Sequence, residues 1–162
     1  MLKDNPSLPA RRPPRLTALA SIQPTRIVVD SGLRIARSAK ILTQQSRAKT
    51  IIATTKAAPL ARRLALERQG IEVLQVPSLG GRVSLRHLLT ALGQRGMISV
   101  MIEGGGELNA AFLKARLVNH VRLYVAPTLL GGTQSKGVIG GLSPHRLADA
   151  WKLKQVRTRM LG

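Results

Sequence analysis

The stretch Val100-Met101-Ile102-Glu103-Gly104-Gly105-Gly106-Glu107-Leu108-Asn109-Ala110-Ala111-Phe112 holds the residue types and spacing best suited to a ligand. An apolar run breaks at three glycines and resumes with Leu108, Ala111, Phe112 and Ala115 at helical spacing. This predicts a strand, a tight turn and a helix. Glycines clear side chains from the turn, and the first N–H groups of the helix point into the cleared space, where a phosphate is the natural occupant. A plain strand-to-helix connection that needs glycine for positive φ stays open beside that reading.

Other chemistry has little to work with. The acidic residues are Asp4, Asp30, Glu67, Glu72, Glu103, Glu107 and Asp149, so catalysis by paired carboxylates has few places to go. His87, His120 and His145 are far apart, with no metal-ligand spacing, and His87 on a helix and His120 at a strand edge suit surface or structural roles. The absence of cysteine excludes disulfides, thiolate zinc sites and cysteine nucleophiles, and it fits a reducing compartment. A net charge of +19 attracts polyanions and predicts salt-sensitive, non-specific binding. The basic residues are spread along the chain, and one Phe, one Tyr and one Trp make poor base-stacking platforms. A basic nucleic-acid-binding protein is therefore an alternative without a motif.

The 162 residues, 44% of them hydrophobic, suffice for one domain with its own core, expected over residues 1–162. No apolar run approaches the ~20 residues of a membrane span, and the start of the chain has no signal-peptide core, so a cytoplasmic protein is expected. Residues 1–24 are rich in proline and read as an extended arm. Strands are expected at Arg26–Asp30, Thr50–Thr54, Ile71–Val76, Met97–Ile102 and His120–Pro127, with Trp151–Lys154 alternating like a solvent-facing strand. Thr50–Thr54 lacks alternation, as a strand buried on both faces does. Helices are expected after Pro59, with Leu60, Ala61, Leu64 and Ala65 inward and Arg62, Arg63 and Glu67 outward, and after Ser84, with Leu85, Leu88, Leu89 and Leu92 inward. Gly131-Gly132 and Gly137 to Gly141 mark a glycine-rich loop.

Strands alternating with helices imply an α/β fold: a mainly parallel sheet with helices on both faces and ligands at the carboxyl ends of the strands. Those ends are Asp30-Ser31, Thr54-Thr55, Pro77-Ser78 and Glu103 to Gly106, where hydroxyls and free N–H groups suit a phosphorylated cofactor. The dinucleotide fingerprint of the Rossmann fold is not met. Asn109 stands at its third glycine, and no acidic residue lies in Leu123-Tyr124-Val125-Ala126, where the ribose ligand belongs.

Several motifs occur together and in order: Asp4-x-Pro6-x-Leu8-x-x-Arg11, Arg26-Ile27-Val28-Val29-Asp30-Ser31, Glu103-Gly104-Gly105-Gly106-x-Leu108, Phe112-Leu113 with Leu117-Val118, Arg122 to Pro127, and Leu129-Leu130-Gly131-Gly132. The combination resembles the reductase domain of the riboflavin-biosynthesis deaminase-reductases and spans almost the whole chain. The resemblance implies a three-layer αβα, dihydrofolate-reductase-like fold. It also implies NADPH-dependent reduction of a phosphorylated pyrimidine, 5-amino-6-(5-phosphoribosylamino)uracil, to its ribityl form, with no metal. Carried over by motif, Asp4, Ser31 and Gly105, Gly106, Glu107, Leu108, Asn109, Ala110 and Ala111 match cofactor-contacting positions. Leu8, Arg11 and Glu103 match substrate-contacting ones. Arg11 can pair bidentately with a phosphate, and Glu103 can accept from substrate N–H or O–H groups. Hydride transfer needs positioning and electrostatics rather than a protein nucleophile.

Glu103 at the end of an apolar strand is expected to need a bonded partner, because a buried unpaired carboxylate is costly. Asp4 and Arg11 also read as solvated surface charges, and Asp30 as a cap of the turn after its strand with Ser31 as its partner. Thr54, Thr55 and Lys56 are candidates for the 2′-phosphate that separates NADPH from NADH. Pro9 stands where the family motif has threonine, and the zinc-dependent deaminase domain has no counterpart. The family's first strand and helix and its last strand are expected to be lacking, which exposes strand edges and apolar faces and favours a homodimer. A catalytically defective remnant that keeps a cofactor-binding or dimerisation surface is thus a second alternative.

Overall fold

β-Branched, apolar sequence at Arg26–Val29 (β1) and Thr50–Thr54 (β2), together with Glu72–Gln75 (β3), forms a parallel sheet of order β1-β2-β3. Ile27 lies opposite Ile51, and Ile51 opposite Glu72. The computed structural model describes residues 23–44, 48–129, 131, 137–141, 144 and 146–160. Most of the expected arm, with Asp4, Leu8 and Arg11, lies outside them, as do Leu130, Gly132 and His145. The chain divides into two units, Met1–Val100 and Met101–Gly162.

In the first unit every residue of β2 is buried, as expected for a strand without alternation. The pleat sends Ile52 and Ala53 to opposite faces. Ile52 joins Val28, Leu33, Ile35, Ile41, Ala58 and Leu66, beneath α1 (Lys40–Thr43) and α2 (Leu60–Glu67). Ala53 joins Val76, Val83, Leu88 and Leu92, beneath α3 (Leu85–Gly93). Two helical layers therefore cover one central sheet. After β3 a two-residue hairpin links β4 (Ser78–Leu79) to β5 (Arg82–Val83). Gly80 and Gly81 have φ of +57° and +73° there, a conformation that strains any residue with a Cβ. Ser84 starts α3 as expected, but its hydroxyl bonds Nδ1 of His87 at 2.8 Å instead of a helix N–H.

α2 is rotated from the face its leucines suggest. Leu60 and Leu64 are exposed, and Leu66 is buried. Arg62 Nη1 donates to the carbonyl of Leu33 at 2.6 Å, and Arg63 Nη1 to Oε1 of Gln75 at 2.8 Å. The arginines expected outside thus tie the helix to the loop after β1 and to the last residue of β3, and Leu66 is the side chain it buries.

In the second unit α4 (Gly106–Lys114) buries Phe112, and a short 3₁₀ turn follows at Leu147–Asp149. α4 ends in a Schellman pair: Arg116 N–H donates to Leu113 O at 3.0 Å and Leu117 N–H to Phe112 O at 3.1 Å, with Arg116 at φ +54°. The expected strands Met97–Ile102, His120–Pro127 and Trp151–Lys154 are not strands in the structure. A strand exists only as one side of a ladder, and among the described residues none of these segments has a paired neighbour. Their apolar side chains are correspondingly exposed, Ile98 wholly and Tyr124 by three quarters, at 75%.

The rotation of α2 is checked by paired truncations. Leu66→Ala should destabilise by about 2–4 kcal/mol, and Leu64→Ala by less than about 1 kcal/mol, in urea denaturation. The leucine pattern alone predicts the reverse order.

Candidate functional site

The sheet of the first unit delivers Asp30-Ser31 and Thr54-Thr55 to the same end. β1 continues one bond past its last residue, with Asp30 N–H donating to Ala53 O at 2.9 Å. The Asp30 carboxylate then organises the loop that follows. Oδ2 accepts from Ile35 N–H at 2.7 Å and Oδ1 from Gly32 N–H at 3.4 Å. Arg34 stands 3.9 Å from Oδ1, but its side chain is exposed and contributes little. Asp30 does cap the turn after its strand; the partners are the Gly32 and Ile35 amides rather than Ser31.

Ser31 is bonded to two other segments, the end of β2 and β5. Its carbonyl accepts from the Thr54 hydroxyl and the Thr55 hydroxyl, each at 3.0 Å, and from Thr55 N–H at 3.3 Å. Its hydroxyl oxygen accepts from Val83 N–H of β5 at 2.9 Å. Thr54 and Thr55 are buried, so the side chains expected to meet a 2′-phosphate are spent on Ser31 instead. Lys56 remains: it is exposed and, with Gln75, Val76 and Pro77, lines a cleft of about 270 Å³. Sequence reasoning missed Val83 because a backbone N–H leaves no mark in the residue type.

The glycine turn lies in the second unit. None of Gly104, Gly105 and Gly106 has positive φ, so conformational need does not explain them. Close approach explains Gly104 and Gly106. A Cβ on Gly104 would sit 2.5 Å from Cδ2 of Leu108, and one on Gly106 would sit 2.7 Å from the backbone N of Gly140 and 3.1 Å from the carbonyl of Gly137. The backbone that the glycines admit at Gly106 belongs to the second glycine-rich segment. Asn109 Nδ2 fastens the two together by donating to Val138 O at 2.9 Å. At the start of α4, Leu108 and Asn109 N–H both return to Gly105 O, at 3.0 and 3.2 Å.

Of the cofactor-contacting positions implied by motif here, Gly105 and Glu107 are exposed, and Gly106, Leu108, Asn109, Ala110 and Ala111 are half-buried. A Cβ at Gly105 would meet nothing within 4 Å, so its face is open. Glu103 is exposed as well, and the burial cost argued for a carboxylate ending a paired strand does not arise. The structure thus gathers Ser31 with Asp30, Thr54 and Thr55 in one unit, and Gly104 to Asn109 with Gly137 to Gly141 in the other. The second glycine segment was legible as glycine-rich; its pairing with Gly106 was not, since both serve by lacking a side chain. Among the described residues no cluster of metal-ligating side chains occurs, and no helix is long and apolar enough to cross a membrane.

Gly106→Ala should destabilise the chain by about 1–3 kcal/mol, because its neighbour is backbone and cannot rotate away. Gly105→Ala should cost less than about 1 kcal/mol. Equal urea midpoints for the two variants would refute the packing of the two glycine segments.

Comparison with known proteins agrees with the fold. The family model described as the RibD C-terminal domain matches residues 1–162. The riboflavin biosynthesis protein RibD of Actinobacillus pleuropneumoniae is 36% identical over 162 residues, which are 100% of this chain and 41% of that protein. The 2,5-diamino-6-ribosylamino-4(3H)-pyrimidinone 5′-phosphate reductase of Methanothermobacter thermautotrophicus is 33% identical over 162 residues, 100% of this chain and 71% of that protein. Among solved structures, Acinetobacter baumannii RibD superposes with a TM-score of 0.72 at 28% identity, over 91% of this chain and 37% of that one. The chain thus spans about two fifths of the RibD proteins it matches. The architecture is α/β and dihydrofolate-reductase-like, and the match over all 162 residues places the chain in the RibD C-terminal domain family.

Proposed function

We propose that the chain is a cytoplasmic, NADPH-dependent reductase of riboflavin biosynthesis. Its substrate is a phosphorylated ribosylaminopyrimidine and its product the ribityl compound. The observation that carries the reading is the end of the parallel sheet: half-buried Ser31, with its carbonyl bonded by Thr54 and Thr55 and its hydroxyl by Val83 N–H, and exposed Lys56 lining a cleft one residue beyond Thr55. Such an end suits an anionic nucleotide. The name of the archaeal relative supports the reaction class.

The chain's residues then act by holding and orienting. By motif, Ser31, Asp4 and Gly105 to Ala111 are the cofactor-contacting positions, and Lys56 is the candidate partner of the 2′-phosphate. Leu8, Arg11 and Glu103 contact the substrate. The cofactor, when bound, supplies the hydride; no residue of this chain needs to form a covalent bond to the substrate. The exposed apolar side chains of Met101, Val121, Leu123, Tyr124 and Val125 favour a second copy of the chain as partner. They also keep a second reading in play, a non-catalytic domain retained for cofactor binding or dimerisation.

Titration with NADPH at moderate salt, with NADH and ATP as controls, separates these readings. Selective NADPH binding that survives added salt is expected. Turnover is then tested with 5-amino-6-(5-phosphoribosylamino)uracil and with the 2,5-diaminopyrimidinone phosphate, and reduction of either distinguishes an enzyme from a binding remnant. Binding that ignores the nicotinamide and vanishes with salt would refute the reductase reading and leave the charge of +19 as the explanation. Lys56→Ala should weaken NADPH binding by roughly five- to tenfold and leave NADH binding unchanged. Unchanged NADPH affinity would remove Lys56 from the site.

A further inference from the structure

Ser31 has a polarity as well as a position. A serine hydroxyl carries one proton and two lone pairs. Val83 N–H at 2.9 Å occupies a lone pair of Ser31 Oγ, and among the described residues the Ser31 proton has no acceptor. The serine cannot readily swing away. Its carbonyl is gripped by the two threonine hydroxyls and by Thr55 N–H. The carboxylate of Asp30, immediately before it, is committed to the amides of Gly32 and Ile35.

Both threonines spend their only proton on that one carbonyl. Thr54 and Thr55 are essentially sealed from solvent, at 0% and 2% exposure, whereas Ser31 is half-buried. A buried hydroxyl without a partner is costly, so these protons have no competing acceptor in water.

We propose that Ser31 is a hydrogen-bond donor of fixed direction to an acceptor oxygen of the nicotinamide nucleotide, and that Thr54 and Thr55 are the positioning residues that hold it. The inference rests on the cofactor reading of Ser31 given above. It makes the site selective for an acceptor such as a phosphate, ribose or carboxamide oxygen. It also gives the strand-end threonines a role other than phosphate binding: they act through Ser31 and do not touch the ligand.

The test is a double-mutant cycle on the full chain, read as NADPH affinity by fluorescence titration, with folding followed by circular dichroism. Ser31→Ala should weaken NADPH roughly five- to tenfold, the loss of one good hydrogen bond. Thr54→Val and Thr55→Val, which keep shape and remove the hydroxyl, should each weaken it several-fold. Thr54→Ser, which restores a donor, should recover wild-type affinity. In the Ser31→Ala background the valine substitutions should have no further effect, whereas a merely structural role for the threonines would weaken binding equally in both backgrounds. Additive losses, or failure of Thr54→Ser to rescue, would overturn the positioning role while leaving the cofactor reading intact. If Thr54→Val fails to fold, the Thr55→Val and Thr54→Ser arms decide the question alone. Wild-type affinity in Ser31→Ala removes Ser31 from the site and the inference with it. Absence of NADPH binding by the wild-type chain refutes the proposed function itself.

Discussion

The total burial of β2 is the constraint on which the first unit depends. A strand shielded on both faces needs a hydrogen-bonded strand on each side and an apolar layer above and below. β1 and β3 supply the edges, and Ile52 and Ala53 lead into the two cores. The same burial carries past the last residue of the strand. Thr54 and Thr55 arrive where water is absent, and their hydroxyls must find an acceptor. The carbonyl of Ser31 is that acceptor, so the device that seals the end of β2 also fixes the residue at the end of β1. Packing and site are thus one arrangement.

Those parts of the fold that depend on local chemistry were legible in the sequence. The run Thr50-Ile51-Ile52-Ala53-Thr54 announced a doubly covered strand, Leu88 and Leu92 announced the inner face of α3, and Gly80-Gly81 announced a turn. What escaped was whatever depends on a distant partner. The leucines of α2 suggested one inner face, yet Arg62 and Arg63 reach the Leu33 carbonyl and Gln75, two acceptors that no periodicity reveals. Met97–Ile102 and His120–Pro127 have strand composition, but composition records a tendency to pair and not the presence of a neighbour.

The candidate site divides along the same line. Residue type and position pointed to Ser31 and to the glycine turn. The reason for each was different from the one their types suggest. Gly104 and Gly106 are small because Leu108 and Gly140 lie against them, with no positive φ involved. Thr54 and Thr55 have the hydroxyls of a phosphate site, but burial turns those hydroxyls inward. Glu103 looked costly only while the strand before it was assumed to be paired. In each case the residue type was legible and its neighbour was not, because the neighbour is brought in by the fold.

A crystal structure of the full chain with NADPH tests the central claim most directly. The account predicts the nucleotide at the carboxyl ends of β1 and β2, with one of its acceptor oxygens about 3 Å from Ser31 Oγ and the Thr54 and Thr55 hydroxyls still on the Ser31 carbonyl. A nucleotide bound away from Ser31, or one that draws the threonine hydroxyls off that carbonyl onto a phosphate, would contradict it.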